Sequence, residues 1–138
     1  MAQSIREVMT SNPKTVETSA PVVEAARIMR DEDAGIVPIV EGDQLVGTIT
    51  DRDIAIRVIA EGKDPQSTKV DEIASKQVVT IDPQQDLDEA LRLMAQHQVR
   101  RLPVVEEDGR LVGIVAQADV ARVGDDSQTG EVVEQISK

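Results

Sequence analysis

The sequence predicts a mixed α+β fold of two tandem repeats. Each repeat is ordered strand, helix, strand, strand, helix, and the two pack with pseudo-twofold symmetry. Three observations predict this: the same residues recur at a fixed offset, both copies carry the same succession of period-2 and period-3.6 apolar patterns, and neither copy is long enough to bury an apolar face alone. Glu7, Thr15, Val16, Glu24, Ala25, Met29 and Pro38 stand 65 positions before Glu72, Thr80, Ile81, Glu89, Ala90, Met94 and Pro103. One insertion, EGDQLVG at 41–47 against EEDGRLVG at 106–113, moves the offset to 66 for Gly47 with Gly113 and Asp53 with Asp119. The chain divides into repeat 1 (1–62), a linker (63–69), repeat 2 (70–123) and a polar tail (124–138).

The elements follow in order. KTVET at 14–18 and VVTID at 78–82 are β-branched and read as strands. After them Val22, Ala25, Ala26 and Met29 make an apolar helical stripe, repeated by Leu87, Ala90, Leu91 and Met94. Pro21 suits a first helical turn, and Asp86 with Glu89 forms the pattern of a capping box. IVPIV and LPVV, then LVGTIT and LVGIVA, are strand pairs separated by an acidic turn, the spacing of a hairpin. Pro38 and Pro103 place the first strand of each pair at a sheet edge or strand end. A last helix runs from Asp51 to about Ala60 and stops at Gly62. The tail carries a short stripe at Val132, Val133 and Ile136.

Composition excludes several functions. The formal net charge is −11, which repels a polyanion, and the absence of Phe, Trp and Tyr removes the stacking platforms of single-strand binders, so nucleic acid is not expected as a partner. With no cysteine there is no thiolate metal site and no disulfide framework. No segment approaches the ~20 apolar residues of a membrane span, and the first residues lack the pattern of a signal peptide, so a cytoplasmic protein without a membrane partner is expected. His97, the only histidine, falls near a helix C-terminus and reads as a surface residue; Met29 and Met94 read as core.

The chemistry concentrates in GTITDRDI at 47–54. Thr50 and Asp53 have the spacing of a capping box, and equally of a grip in which a helix start meets phosphate while a carboxylate accepts from ribose hydroxyls. Asp51 reads as a helix cap or as an aid to a magnesium ion arriving with ATP. Asp51 and Asp53 lack the partner motifs of an aspartyl phosphatase, and no enzyme is expected. Arg100 and Arg101 are either a solvated pair or a fork for phosphate oxygens.

The doubled GxxTxxD-like ending, the LPVV strand and the order of elements resemble a stand-alone pair of CBS domains, also called a Bateman module, over residues 5 to 123. The resemblance implies a regulatory, non-enzymatic module that senses an adenosine-containing ligand (AMP, ADP, ATP, NAD, S-adenosylmethionine or cyclic di-AMP) in a cleft between the repeats, and a homodimer read by a protein partner not named by the sequence. No cofactor is required; magnesium would come only with ATP. It assigns Thr50 and Asp53 to ribose and phosphate, joins them with Arg100 and Arg101 in one site, and lays the base near Thr15, Val16, Ile36 and Pro38. In the second site Asp119 remains, Ala116 replaces the threonine, and Gly35 and Ile36 replace the arginines, so it is expected to be degenerate. The alternative is a ligand-free CBS dimer that serves as a protein interaction module.

Overall fold

A computed structural model describes residues 3–123; the stripe at 132–136 and the rest of the tail lie outside them. The elements are α1 (Ile5–Val8), β1 (Thr10–Ser11), β2 (Val16–Glu17), α2 (Val22–Glu32), β3 (Ile36–Glu41), β4 (Gln44–Thr50), α3 (Asp51–Ile54) continued by a π-helical stretch (Ala55–Ile59), α4 (Val70–Ile73), α5 (Leu87–His97), β5 (Arg101–Val105), β6 (Leu111–Ala116) and α6 (Gln117–Val123). They form two units, one spanning Lys14–Val78 and the other combining the residues up to Pro13 with those from Val79 onward. The fold is α+β, with one three-stranded sheet per unit, β2-β3-β4 and β1-β6-β5.

These units do not coincide with the sequence repeats, because each repeat lends its first segment to the other unit. Ile5 and Val8 of α1 are buried with Ile81, Leu91, Met94, Leu102 and Val115. Their counterparts 65 residues on, Val70 and Ile73 of α4, are buried with Val22, Val37, Ile39, Ile49 and Val58. The residues after each short helix then lie along the last strand of the hairpin: Thr10 pairs with Ile114, and Ser75 exchanges two hydrogen bonds with Thr48, at 2.9 and 3.0 Å. That close approach explains the repeated glycine. A Cβ on Gly47 would stand 2.8 Å from the Ser75 carbonyl oxygen, and one on Gly113 would meet Met9 Sδ at 2.5 Å and the Thr10 carbonyl oxygen at 2.9 Å.

The hairpins and helices bear out the periodicity, down to paired irregularities. β3 and β4 are antiparallel with a register shift between Ile39 and Val40; β5 and β6 repeat it between Val104 and Val105. The helices α2 and α5 both end on a left-handed residue, Asp33 and Gln98, whose N–H bonds back to Met29 and Met94. Gly62, with φ of 72°, follows the π-helical stretch as its stop. Asp86 caps α5 by accepting from the Glu89 N–H at 3.0 Å, while the Glu89 carboxylate pairs with Arg92, whose hydrogen bond holds it below the usual glutamate range.

Two expectations are corrected. The candidate strands KTVET and VVTID shrink to Val16–Glu17 and to a single bridge at Ile81, because turns start at once: the Ala20 N–H bonds to the Glu17 carbonyl, and Asp82 accepts from Gln84 through its side chain and from Gln85 through its carbonyl. Pro38 sits inside β3, the central strand of its sheet, rather than at an edge or end, whereas Pro103 lies in β5, an edge strand, as expected. Thr48, opposite Pro38, gives both backbone groups to Ser75, so no ladder bond is lost there. The Pro103 carbonyl accepts from Ile81, so its nitrogen faces a partner segment that supplies only that one bridge.

The borrowed helices make a directional prediction. Ile5→Ala should cost about 2–5 kcal/mol, and hydrogen exchange should show protection falling in β5 and β6 while β3 and β4 keep theirs. Loss confined to β3 and β4 would contradict the assignment of α1.

Candidate functional site

Thr50 ends β4 and caps α3. Its hydroxyl accepts from the Asp53 N–H at 3.1 Å, and Asp53 Oδ2 accepts from the Thr50 N–H at 2.9 Å, a complete capping box. Thr50, not Asp51, is therefore the N-cap; Asp51 is the first helical residue, and its Oδ1 accepts from Arg52 N–H at 2.8 Å. The box leaves one oxygen of Asp53 uncommitted. Its Oδ1 faces Arg57 Nε at 4.0 Å, an ion pair too long for a hydrogen bond.

The same corner in the other unit is built differently. Asp119 Oδ2 accepts from the Ala116 N–H at 2.9 Å, so the carboxylate half of the box survives without the hydroxyl. Asp119 Oδ1 accepts from Arg122 at 3.2 Å, so both of its oxygens are engaged. The backbone frames agree: Asp51 N–H bonds to the Gly35 carbonyl at 3.0 Å, and Gln117 N–H bonds to the Arg100 carbonyl at 2.8 Å. Their side chains do not agree. The Asp51 carboxylate lies where a side chain at 35 would start, 3.1 Å from the position of a Cβ, whereas the other unit carries Arg100 and Arg101 there. One corner is acidic and its counterpart basic.

Of the residues singled out in the sequence, Thr15, Val16, Ile36, Pro38, Thr50 and Asp53 belong to the unit Lys14–Val78. Ile36 pairs with Thr50, and Val16 pairs with Ile39, next to Pro38. Val16 is a core residue, so its side chain is not open to a ligand. Arg100, Arg101 and Asp119 belong to the other unit, where Arg101 pairs with Ala116. Arg100 is exposed and Arg101 half-buried. His97 is exposed. Sequence reasoning missed Arg57 and the seat of Asp51 against Gly35; the (i, i+4) spacing from Asp53 was the available signal for Arg57.

Comparison with known proteins fits this architecture. The chain belongs to the CBS-domain family, whose model matches it twice, over residues 5–60 and 70–126. It is thus a regulatory module of the CBS-pair type. It is similar to the CBS domain-containing protein YhcV of Bacillus subtilis, with 45% identity over 118 residues, 86% of this chain and 83% of that protein. Hypoxic response protein I, solved with two coordinated zinc ions, superposes with a TM-score of 0.79 at 40% identity, covering 87% of this chain and 98% of that one. The CBS pair of protein MJ0100, solved in complex with 5′-methylthioadenosine and S-adenosyl-L-methionine, gives 0.76 at 28% identity, over 89% and 96%.

Among the described residues the donor set does not fit a zinc centre. Protein zinc is bound chiefly by Cys and His, with carboxylates as further ligands. This chain has no cysteine and one histidine, and among the described residues no three of His, Cys, Asp and Glu gather closely enough to hold a metal ion. Among the described residues, too, no helix is long and apolar enough to cross a membrane.

The unequal caps can be measured. Thr50→Ala should cost about 1 kcal/mol of stability, and Ala116→Thr, which supplies the missing hydroxyl beside Asp119, should stabilise by a few tenths to about 1 kcal/mol. Urea unfolding of the two variants checks both signs.

Proposed function

We propose that the protein is a non-enzymatic, cytoplasmic, homodimeric regulatory module that binds one adenosine-containing ligand per chain (AMP, ADP, ATP, NAD or S-adenosylmethionine). Asp53 accepts from the ribose hydroxyls through Oδ1, and the Thr50 hydroxyl meets the ribose or first phosphate. Arg100 and Arg101 bind phosphate oxygens as guanidinium forks. The base lies along Thr15, the Val16 backbone, Ile36 and Pro38. A protein partner reads the liganded state, and magnesium enters only with ATP.

The observation that carries this reading is that Asp53 Oδ1, held by a completed capping box, meets only the long ion pair to Arg57 at 4.0 Å, against the carboxylate of Asp119, both of whose oxygens accept hydrogen bonds. Membership of the CBS family and the adenosyl ligands bound by the similar CBS pair of MJ0100 support the ligand class. The acidic Asp51 beside Gly35 disfavours phosphate at the corner equivalent to the arginines and so supports a single phosphate-competent site.

One observation favours the alternative of a ligand-free interaction module: the capping box by itself accounts for both Thr50 and Asp53. Calorimetric titration with AMP, ATP, NAD and S-adenosylmethionine separates the two. Binding near one ligand per chain is expected, weakened about ten- to a hundredfold in Asp53→Ala, equivalent to about 1.5–3 kcal/mol, and far less in Asp119→Ala. Arg100→Gln and Arg101→Gln should weaken AMP and leave adenosine little changed. Silence across the panel would leave the interaction module standing, and equal losses in the two aspartate variants would end the one-site reading.

A further inference from the structure

Arg57 touches two things at once. Its Nε faces Asp53 Oδ1 at 4.0 Å, and its Nη1 donates to the Ile73 carbonyl at 3.2 Å. Ile73 closes α4, the helix that repeat 2 lends to this unit, and Ser75, two residues on, is bonded to Thr48 in β4. One guanidinium therefore spans the open carboxylate oxygen and the end of the borrowed segment. A planar fork with several donors can do this, and a single ammonium cannot satisfy both directions as well. In the other unit Arg122, three residues after Asp119 rather than four, bonds directly to the carboxylate at 3.2 Å.

We infer that Arg57 is a positioning residue that couples Asp53 to the segment 70–75, so that a ligand on Asp53 tightens the hold of one repeat on the other's first segment. The inference rests on the proposed binding reading. The chain of contacts sets its sign. Arg57, anchored on the Ile73 carbonyl, steadies the carboxylate with Oδ2 on the Thr50 N–H and Oδ1 outward, which pre-organises the ligand's acceptor. By linkage, a ligand that fixes Oδ1 fixes Arg57 and with it the end of α4. The Arg57 side chain is more than half exposed, at 56%, so replacing it leaves no hole in the core. The groups facing Asp53 and Arg57 that the coupling uses are uncharged apart from this pair: the Thr50 N–H and hydroxyl, and the Ile73 carbonyl.

The test is hydrogen exchange of the full chain with and without AMP, in the wild type, Arg57→Gln and Arg57→Lys, alongside calorimetry. In the wild type, saturating AMP should slow exchange at the Thr48 and Ser75 amides severalfold. Without AMP, Arg57→Gln should exchange faster at Ser75 while the Ile49 amide keeps its protection, which verifies folding. AMP affinity should fall about three- to tenfold, and bound AMP should no longer slow exchange at Ser75. Arg57→Lys, which keeps the charge beside Asp53, should recover most of the affinity but not the slowing at Ser75. If the wild type binds AMP and Arg57→Gln shows the same AMP-dependent slowing, the coupling is overturned while the binding reading stands. If the wild type shows no AMP heat, the binding reading fails first and the coupling falls with it; faster ligand-free exchange at Ser75 in Arg57→Gln would then report only the bond to Ile73.

Discussion

The close passage of a borrowed segment over the last strand of each hairpin is the constraint on which the rest of the structure depends. Each half-sized unit needs apolar side chains that its own repeat does not supply, and it takes them from the start of the other: Ile5 and Val8 in one core, Val70 and Ile73 in the other. Burial of two such residues contributes roughly 3–6 kcal/mol per unit, a large share of the stability of a small domain. The borrowed chain reaches its place only by lying against the hairpin strand, at a distance that excludes a Cβ from residues 47 and 113. The glycines, the bonds of Ser75 to Thr48 and the pairing of Thr10 with Ile114 are consequences of that one approach. A one-way loan would leave one unit short of its core, and the duplication of the sequence makes the loan reciprocal.

Much of this was legible because packing writes itself into periodic patterns. The stripes of α2 and α5, the hairpins and the helix after Thr50 all follow from apolar spacing and turn chemistry. The 65-residue offset extends to features the patterns did not announce: the paired bulges and the left-handed ends at Asp33 and Gln98. What was not legible depends on which partner a segment meets. Nothing local in IREV or VDEI states that each belongs to the core of the other repeat's hairpin, since their apolar residues would suit either. Pro38 misled for the same reason: it is harmless inside its central strand only because Thr48 bonds to Ser75, a tertiary fact. At the site, Thr50 and Asp53 were found by their spacing, whereas Arg57 acts through the carbonyl of a residue sixteen positions away.

The capping box and the proposed ligand contacts use different atoms at Thr50 and Asp53, so the first does not exclude the second. The box takes the Thr50 hydroxyl as an acceptor and Asp53 Oδ2, a local interaction of about 1 kcal/mol. The hydroxyl proton and Oδ1 remain for a ligand. A rigid cap also makes a better acceptor: a carboxylate already held by a hydrogen bond from the Thr50 N–H loses less freedom on binding. The capping box and the proposed grip in GTITDRDI are in this sense compatible within one geometry.

The pattern of divergence between the repeats separates packing from chemistry. Positions that packing dictates agree across the two units: the glycines under the borrowed strand, the bulges, the left-handed helix ends and the carboxylate that caps the last helix. Positions that differ most in charge gather at one corner of each sheet: Gly35 and Ile36 against Arg100 and Arg101, Thr50 and Asp51 against Ala116 and Gln117. The backbone bond between the two strands' ends is kept at both corners, so the fold tolerates either set. A corner indifferent to the fold yet given two arginines in one unit and a carboxylate in the other differs in what it attracts. Opposite charge at equivalent corners, carried by different positions, would under the proposed binding reading sort anionic from non-anionic groups without any change in the architecture.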